Sequence, residues 1–154
     1  MIEYRKASQN DIENLSAMRV SMLCENGHYD SDFQERLFKN TLEYLNKGIS
    51  DNSVGVWVAT SKNEIIAMCC LSYFHLPPNE LCMSGKSAHL GNMYTVPSFR
   101  NKGIASKLLE IIVAEAKKNQ CERIVLVPTK SGKPIYEKFG FVPWFDAMVF
   151  FPTK

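Results

Sequence analysis

The chain has 154 residues, of which 45% are hydrophobic and 22% charged, and its formal net charge is +2. These values are typical of a globular protein, and the length predicts one domain that spans residues 1–154. The charge is too small and too evenly spread for a nucleic-acid-binding protein, and no apolar run approaches the roughly 20 residues of a membrane span. The N-terminal segment lacks a signal-peptide core, so we expect a cytoplasmic protein.

Five cysteines are consistent with a reducing compartment. They are odd in number, and no two of them have Cys-x-x-Cys spacing. We expect reduced thiols, because disulfides are rare in cytosolic proteins. The three histidines are scattered along the sequence, so no group of ligands predicts a metal site.

Apolar periodicity and turn signals predict a chain in which strands and helices are mixed. Ser8 and Asp11 resemble a capping box at the start of the first helix, and Gly48 is expected to end the second. Pro97 stops a strand just before the third helix. The expected elements, in chain order, are a strand at 2–7, helices from Asp11 to about Glu25 and at about 32–47, strands at 54–61, 64–74 and 87–96, a helix within 99–118, a strand at 122–128, a short helix at 131–140, and terminal strands at 141–145 and 147–152.

The strand–helix–strand unit at 88–128 determines the expected topology. It is long enough for a crossover connection, so its two strands should be parallel neighbours. The earlier strands are expected to form an antiparallel meander, and the apolar run at 122–128 is typical of a strand buried on both faces. The sequence therefore predicts an α/β fold with a mixed central sheet of about seven strands flanked by about four helices.

The stretch FRNKGIASKLL, which begins at residue 99, combines positive charge and a glycine where the third helix begins. The first N–H groups of a helix have no partner within it and carry partial positive charge, which suits an anion. Gly103 lets backbone amides approach a ligand closely, and Arg100 and Lys102 add charge. This chemistry favours a pyrophosphate held mostly by amides; the alternative is an ordinary charged loop that enters a core helix.

Other nucleotide-binding patterns are incomplete or absent. SGKS at 84–87 is superficially similar to part of a P-loop, but position 80 is not glycine and a strand follows instead of a helix. The G-x-G-x-x-G fingerprint of dinucleotide-binding folds does not occur. We therefore expect neither a nucleoside triphosphate nor a dinucleotide.

Two motifs together resemble the GNAT superfamily of N-acetyltransferases. A strand, Val96–Pro97 and then R-x-x-G-x-A at a helix start are similar to its acetyl-CoA-binding motif, and YEKFGF at 136–141 is similar to its C-terminal signature. The resemblance implies a GNAT-like fold with acetyl-CoA as cosubstrate. It also implies that acetyl-pantetheine lies in a gap where the strand ending at Val96 splays from the strand at 122–128.

The resemblance implies a set of cofactor-binding residues as well. Backbone groups of Tyr94, Thr95 and Val96 would pair with the pantetheine like an added strand. Thr129 and Ser131 lie where the family often has an asparagine. The pyrophosphate would be held at the start of the third helix, by Arg100, Asn101, Lys102, Gly103, Ile104, Ala105 and Ser106.

Acetyl transfer to an amine requires a base and an acid. Alkyl amines have pKa values near ~10, so the acceptor is mostly ammonium at neutral pH and must lose a proton before it attacks the thioester. Tyr136 matches the tyrosine of the family signature and is expected to protonate the departing thiolate; packing of its ring on the sheet is the alternative. His89 lies where some members carry a glutamate base, and histidine suits proton transfer near pH 7. It is equally compatible with a half-buried strand residue.

Three further groups complete the catalytic hypothesis. A backbone N–H near Tyr94 or Thr95 is the expected donor to the tetrahedral oxyanion. Asn92 would position a water molecule. Glu25 and Asp146 are alternative bases or anchors for a cationic substrate, with solvated loop charge as the simpler interpretation.

The sequence thus predicts an N-acetyltransferase that moves an acetyl group from acetyl-CoA directly to a primary amine in a ternary complex. Cys69 and Cys70 are expected to be inert core thiols, without a covalent acyl-enzyme. A small metabolite, an antibiotic amine and a peptide N-terminus or lysine stay open as acceptors, as does a homodimer. A non-catalytic acyl-CoA-binding sensor is the rival function.

Aromatic and acidic groups near the expected acceptor side are compatible with a small cationic amine: His28, Tyr29, Asp30, Asp32, His75, Trp144 and Asp146.

Overall fold

The computed structural model describes residues 1–144 and 148–153, and it has five strands and four helices in this part of the chain. None of these helices is long and apolar enough to cross a membrane. Short 3-10 turns precede the first helix and the loop before the third. The elements are β1 (Ile2–Lys6), α1 (Ile12–Cys24), α2 (Ser31–Ser50), β2 (Val54–Ser61), β3 (Glu64–His75), β4 (Lys86–Thr95), α3 (Ile104–Lys118), β5 (Arg123–Val125) and α4 (Lys133–Phe139).

The strands form one mixed sheet in the order β1-β2-β3-β4-β5. The first four strands pair with one another in antiparallel fashion, as expected for a meander. β4 and β5 are parallel, because the chain crosses over through α3 between them. The α/β class and the mixed sheet predicted from the sequence are therefore confirmed.

Helices cover both faces of the sheet, and each face has its own core. α1 and α2 pack on what we call the α1/α2 face, where Leu15, Leu45 and Val58 of β2 belong to one buried cluster. α3 and α4 pack on the opposite α3/α4 face, where Ile112 and Tyr136 belong to a second cluster. Side chains from alternate positions of the strands supply the two cores, as the strand geometry requires.

The predicted C-terminal strands are the main error. The described residues at 141–144 and 148–153 form no strand, and Phe145, Asp146 and Ala147 lie outside the described residues. β5 is also shorter than the predicted 122–128 and only half-buried. Strand propensity depends on a neighbour to pair with, and no described strand lies along the outer edge of β5. The sheet therefore has five described strands instead of about seven.

The two local helix signals had different outcomes. The capping box is confirmed: Asp11 accepts a hydrogen bond of 2.7 Å from the Ser8 N–H just before α1. The prediction that Gly48 ends α2 was wrong, because the helix continues to Ser50. A Cβ on Gly48 would lie 2.4 Å from Cγ2 of Val54, so this glycine allows close packing of α2 on β2.

Candidate active site

A gap opens between β4 and β5 beyond His89. The two parallel strands pair only over Ser87–His89 and Arg123–Val125. The rest of β4, as far as Thr95, has no strand neighbour on this side among the described residues. Pairing between the two strands therefore ends where the family resemblance implies a splay, and it leaves one backbone edge of β4 without a strand partner among the described residues.

β4 contains a β-bulge beside this gap. Asn92 and Met93 together lie opposite Cys69 of β3, where the register shifts. Asn92 has φ of 52°, in the left-handed region that asparagine tolerates better than most residues. Bulges interrupt the hydrogen-bond ladder and re-aim the strand. The half-buried Asn92 is thus close in sequence to Tyr94, Thr95 and the expected oxyanion donor.

The start of α3 lacks a side-chain cap. Gly103 is the N-cap residue with φ of 76°, and its carbonyl accepts the first helical hydrogen bond from Lys107, at 3.1 Å. The N–H groups of Ile104, Ala105 and Ser106 precede that bond and have no partner within the helix. A Cβ on Gly103 would meet no atom within 4 Å, so the backbone conformation alone favours glycine here. This end of α3 can accept an anion.

The cations of the preceding loop are held by the chain itself. Nζ of Lys102 lies 4.7 Å from the centroid of the Phe99 ring. Arg100 donates to the carboxylate of Glu25 at 2.6 Å and to the carbonyl of Thr95 at 2.9 Å. Both side chains lie beside the start of α3 and are already bound to the protein. Recognition of an anion at this loop would therefore depend mainly on the backbone amides.

Glu25, just after α1, connects two of the predicted cofactor-binding residues. Its Oε1 accepts a hydrogen bond of 2.5 Å from the Tyr94 hydroxyl, and its Oε2 accepts the one from Arg100. The hydrogen bond from Tyr94, followed by that from Arg100, lowers the pKa of Glu25. Burial and the carboxylate raise the pKa of Tyr94 to about 12. Glu25 is therefore a weak base near neutral pH, which argues against it as the proton acceptor.

Tyr136, in α4, is only 8% exposed within the core of the α3/α4 face. Its ring packs edge-on against Phe141, with centroids 5.8 Å apart. Burial raises the pKa of its phenol, so the hydroxyl keeps its proton at neutral pH. No described residue hydrogen-bonds to this hydroxyl. In the described part of the chain, however, every fully buried side-chain N or O atom has a hydrogen-bond partner. The hydroxyl must therefore reach accessible space, and Tyr136 lines a cleft of about 770 Å³ beside β5.

His89 is exposed and lies on the face of the sheet opposite Tyr136. Its neighbours Ala88 and Leu90 are buried in the core of the α3/α4 face, so the alternation of the strand directs His89 to the α1/α2 face. It pairs with Ser72 on one side and marks the start of the β4–β5 gap on the other. The structure does not bring His89 and Tyr136 into contact.

The match to a known family agrees with this geometry. The model of the acetyltransferase (GNAT) family matches residues 17–141. The chain belongs to the GNAT acetyltransferase family. It is accordingly an acyltransferase that uses acetyl-CoA as its cosubstrate. No protein of curated function matches the sequence significantly.

Solved structures of similar proteins share the GNAT fold. A predicted acetyltransferase from Clostridium acetobutylicum, solved with acetyl-CoA, is 32% identical, with 97% of this chain and 96% of that chain covered and a TM-score of 0.87. A GCN5-related N-acetyltransferase from Ralstonia eutropha is 24% identical, with 98% and 99% covered and a TM-score of 0.88. Glucosamine-6-phosphate N-acetyltransferase from Arabidopsis thaliana is 19% identical, with 99% of both chains covered and a TM-score of 0.71. The last two show similarity of fold alone.

The α1–α2 loop of this GNAT chain lines a separate cleft of about 430 Å³, together with Gln34 of α2. Asp30 caps α2 by accepting a 2.8 Å hydrogen bond from the Phe33 N–H, and Tyr29 stacks on the Phe33 ring at 4.4 Å. His28 is exposed in the same loop. Two of the residues expected to select the acceptor therefore also stabilise the loop, while Asp146 lies outside the described residues.

Thr129 and Ser131 of this GNAT chain lie at the start of α4. Oγ1 of Thr129 accepts a 3.1 Å hydrogen bond from the Gly132 N–H, and the two hydroxyls are 3.4 Å apart. These side chains stabilise the turn before Tyr136. Among the described residues, no three His, Cys, Asp or Glu side chains group in a way that could hold a metal ion.

Proposed function

We propose that this GNAT enzyme transfers the acetyl group of acetyl-CoA to a primary amine by direct attack in a ternary complex. The observation that carries this proposal is the uncapped start of α3 beside the open edge of β4. The amides of Asn101 through Ser106 would bind the pyrophosphate, with Arg100 adjacent. Backbone groups of Tyr94, Thr95 and Val96 would bind the pantetheine. The cosubstrate supplies an activated thioester, and the remaining steps fall to residues of the chain.

Tyr136 is the proposed general acid. A phenol that is protonated at neutral pH can donate its proton to a thiolate as that group leaves. Burial raises the pKa of Tyr136, which keeps the donor protonated. Its hydroxyl is not hydrogen-bonded to any described residue, so the proton is not committed to a structural bond.

His89 is the proposed base on the other face of the sheet. Its exposure leaves room for an amine to approach, and it lies at the start of the gap between β4 and β5. Asn92, in the bulge that follows, is proposed to hold a water molecule that relays the proton. A neutral imidazole accepts a proton readily near pH 7.

Direct attack is favoured over a covalent acyl-enzyme by the state of the buried thiols. Cys69 and Cys70 are both almost fully buried in β3. Burial raises the pKa of Cys69 well above its usual range and that of Cys70 to about 11. Thiols that stay protonated at neutral pH are poor nucleophiles. The amine itself is therefore the proposed nucleophile.

A thiol-release assay with a panel of acceptors tests this function. The purified protein would be mixed with acetyl-CoA and, separately, with amino sugars, polyamines, antibiotic amines, and peptides with a free N-terminus or lysine. We expect amine-dependent release of free thiol, with an equal amount of acetylated amine detected by mass spectrometry. Reactions without amine are the control. Binding of acetyl-CoA without turnover on any amine would instead support a non-catalytic acyl-CoA-binding module.

A further inference from the structure

We infer that Glu25 is a positioning residue for acetyl-CoA, which fixes Arg100 and Tyr94 before the cosubstrate arrives. The inference rests on the proposed use of the β4 edge and the α3 start as the acetyl-CoA site. It assigns Glu25 a role in cosubstrate binding through other residues, without contact with the reacting atoms.

The Glu25 carboxylate joins the end of α1 to a part of the chain that lies 69 to 75 residues further on. Glu25 follows α1, Tyr94 lies near the end of β4, and Arg100 begins the loop before α3. Each carboxylate oxygen has its own donor, at 2.5 Å from the Tyr94 hydroxyl and at 2.6 Å from Nη2 of Arg100. The beginning of the α1–α2 loop is thereby attached to the end of β4 and to the loop before α3.

Arg100 transmits this restraint to the backbone of β4. Its Nε donates to the Thr95 carbonyl at 2.9 Å, and the guanidinium lies 5.6 Å from the centroid of the Tyr94 ring. A guanidinium has five N–H groups, so the bonds to Glu25 and Thr95 leave others for a ligand. Holding this side chain and the Thr95 carbonyl in one arrangement removes flexibility that binding would otherwise have to restrict.

The Glu25 contact differs from the exposed ion pairs of the same chain. Its side chain is 32% exposed and that of Arg100 is 43% exposed, but the carboxylate also bonds to Tyr94, which is 7% exposed. In α2, Glu35 and Lys39 form a pair one helical turn apart with side chains 65% and 70% exposed. Exposed pairs of that kind contribute little to stability. Glu35 therefore provides a matched control for removal of a carboxylate charge.

A double-mutant cycle on acetyl-CoA affinity tests the inference. Calorimetry would measure the Kd of acetyl-CoA for wild type, Glu25→Gln, Arg100→Gln and the double variant. We expect each single substitution to raise the Kd about five- to tenfold, the scale of one ordinary intramolecular hydrogen bond, because the effect reaches the ligand only through other residues. The double variant should be no weaker than the worse single variant, because both substitutions disrupt one network.

Steady-state kinetics and two further variants separate positioning from general stability. At saturating acetyl-CoA, kcat of Glu25→Gln should stay within about twofold of wild type while the KM for acetyl-CoA rises with the Kd, as loss of uniform binding requires. Tyr94→Phe keeps the ring and removes one hydrogen bond, so its effect should be smaller than that of Glu25→Gln. Glu35→Gln should leave the Kd unchanged.

An unchanged or lower Kd in Glu25→Gln would overturn the inference, and so would independent, multiplicative effects in the double variant. A lower melting temperature with an unchanged Kd would make Glu25 a purely structural residue. The cycle measures binding and needs no acceptor. If wild type binds acetyl-CoA but acetylates no amine, the proposed transfer fails while the cycle still decides the role of Glu25.

Discussion

Helices α2 and α3 begin in opposite ways. Asp30 caps α2 with its own carboxylate, which accepts the Phe33 N–H at 2.8 Å. Gly103 begins α3 without any side-chain cap, in a left-handed conformation with open space around it. Both helix starts carry partial positive charge. The chain neutralises that charge internally at α2 and provides no side-chain cap at α3, where we propose that an external anion binds.

The contrast extends to the two faces of the sheet. The α3/α4 face carries the buried Tyr136 and the backbone amides of α3. The α1/α2 face carries the exposed His89 and the α1–α2 loop. Residues proposed for the cosubstrate are thus set by backbone conformation or burial, whereas those proposed for the acceptor are exposed side chains. Residues set by backbone conformation or burial produce a recognisable sequence motif. Exposed side chains can be changed with less consequence for the fold.

The largest expected effect tests whether Tyr136 is a buried acid or a packing residue. Tyr136→Phe keeps the ring and removes the donor, so folding and acetyl-CoA affinity should change little. General acids contribute about 10²–10⁴-fold, and we expect a loss of kcat near ~100-fold because a thiolate leaves tolerably well without help. Steady-state turnover beside calorimetry measures both quantities. Full activity would make Tyr136 a packing residue, and a joint loss of activity and binding would assign it to the cosubstrate site.

The next prediction concerns Gly103→Glu, which places a carboxylate at the uncapped start of α3, just as Asp30 already lies at the start of α2. Two unit charges 4 Å apart near a protein surface interact by about 4 kcal/mol, and half of that, about 2 kcal/mol, is a factor of about thirty. Gly103→Glu should therefore weaken acetyl-CoA binding about thirtyfold or more in a protein that still folds. Gly103→Asn is the control, since asparagine tolerates the left-handed conformation without added charge. Equal affinities for the two variants would remove this loop from the site.

The Asp11 carboxylate, just before α1, is neutralised by Arg5 within the chain, and the pH dependence of stability tests this pairing. Asp11 accepts hydrogen bonds from Arg5, and these, followed by bonds from Ser8, hold the pKa of its carboxyl well below the usual range. A lowered pKa in the folded state gives stability above the unfolded pKa near ~4, which disappears as the pH falls. Asp11→Asn should lower the free energy of unfolding by about 2 kcal/mol at pH 7. Urea titrations should show wild type and variant converging in acid; a constant difference at every pH would contradict the assignment.

His89 tests the acceptor side of the comparison. His89→Ala should lower the rate about tenfold at pH 7, below the usual range for a base because water can replace an exposed side chain. The deficit should shrink as the pH rises, since more of the amine is already neutral. A pH profile of His89→Ala identical to wild type would exclude His89 from the mechanism.

The smallest expected effect is at the capped start of α2. Asp30→Ala removes the bond to the Phe33 N–H and should lower the free energy of unfolding by about 1 kcal/mol. The affinity for acetyl-CoA should not change, because α2 is not part of the proposed cosubstrate site. Urea denaturation and calorimetry on the same variant measure both. If Asp30→Ala weakened acetyl-CoA binding as much as Gly103→Glu does, the proposed difference between the two helix starts would be wrong.

Local signals in the sequence predicted local structure well. The capping box at Ser8 and the strand–helix–strand crossover depend on residues close in sequence, and both are present in the fold. Gly48 was misread because its role is set by Val54, across a helix–strand contact that no local pattern reveals. The terminal strands were predicted from propensity, although a strand also needs a partner.

The candidate site shows the same division. The R-x-x-G-x-A stretch predicted the uncapped start of α3 from residues next to one another. The bond between Glu25 and Arg100 joins positions 75 residues apart, and one sequence carries no signal for it. Glu25 was accordingly considered only as an alternative base or substrate anchor, and its lowered pKa disfavours the first of these roles.

The short pairing of β5 with β4 makes β5 the strand that separates most easily from the sheet. The long strands β2, β3 and β4 share extended ladders, whereas β5 is held to the sheet only over Ser87–His89. Segments with few backbone bonds to the rest of the fold open with the smallest free energy. Amide protons of β5 should therefore exchange with solvent sooner than those of β3. Each such opening would carry the chain leading to α4 and Tyr136 away from β4, and would widen the gap that we propose for the entry of the thioester and the departure of the free thiol.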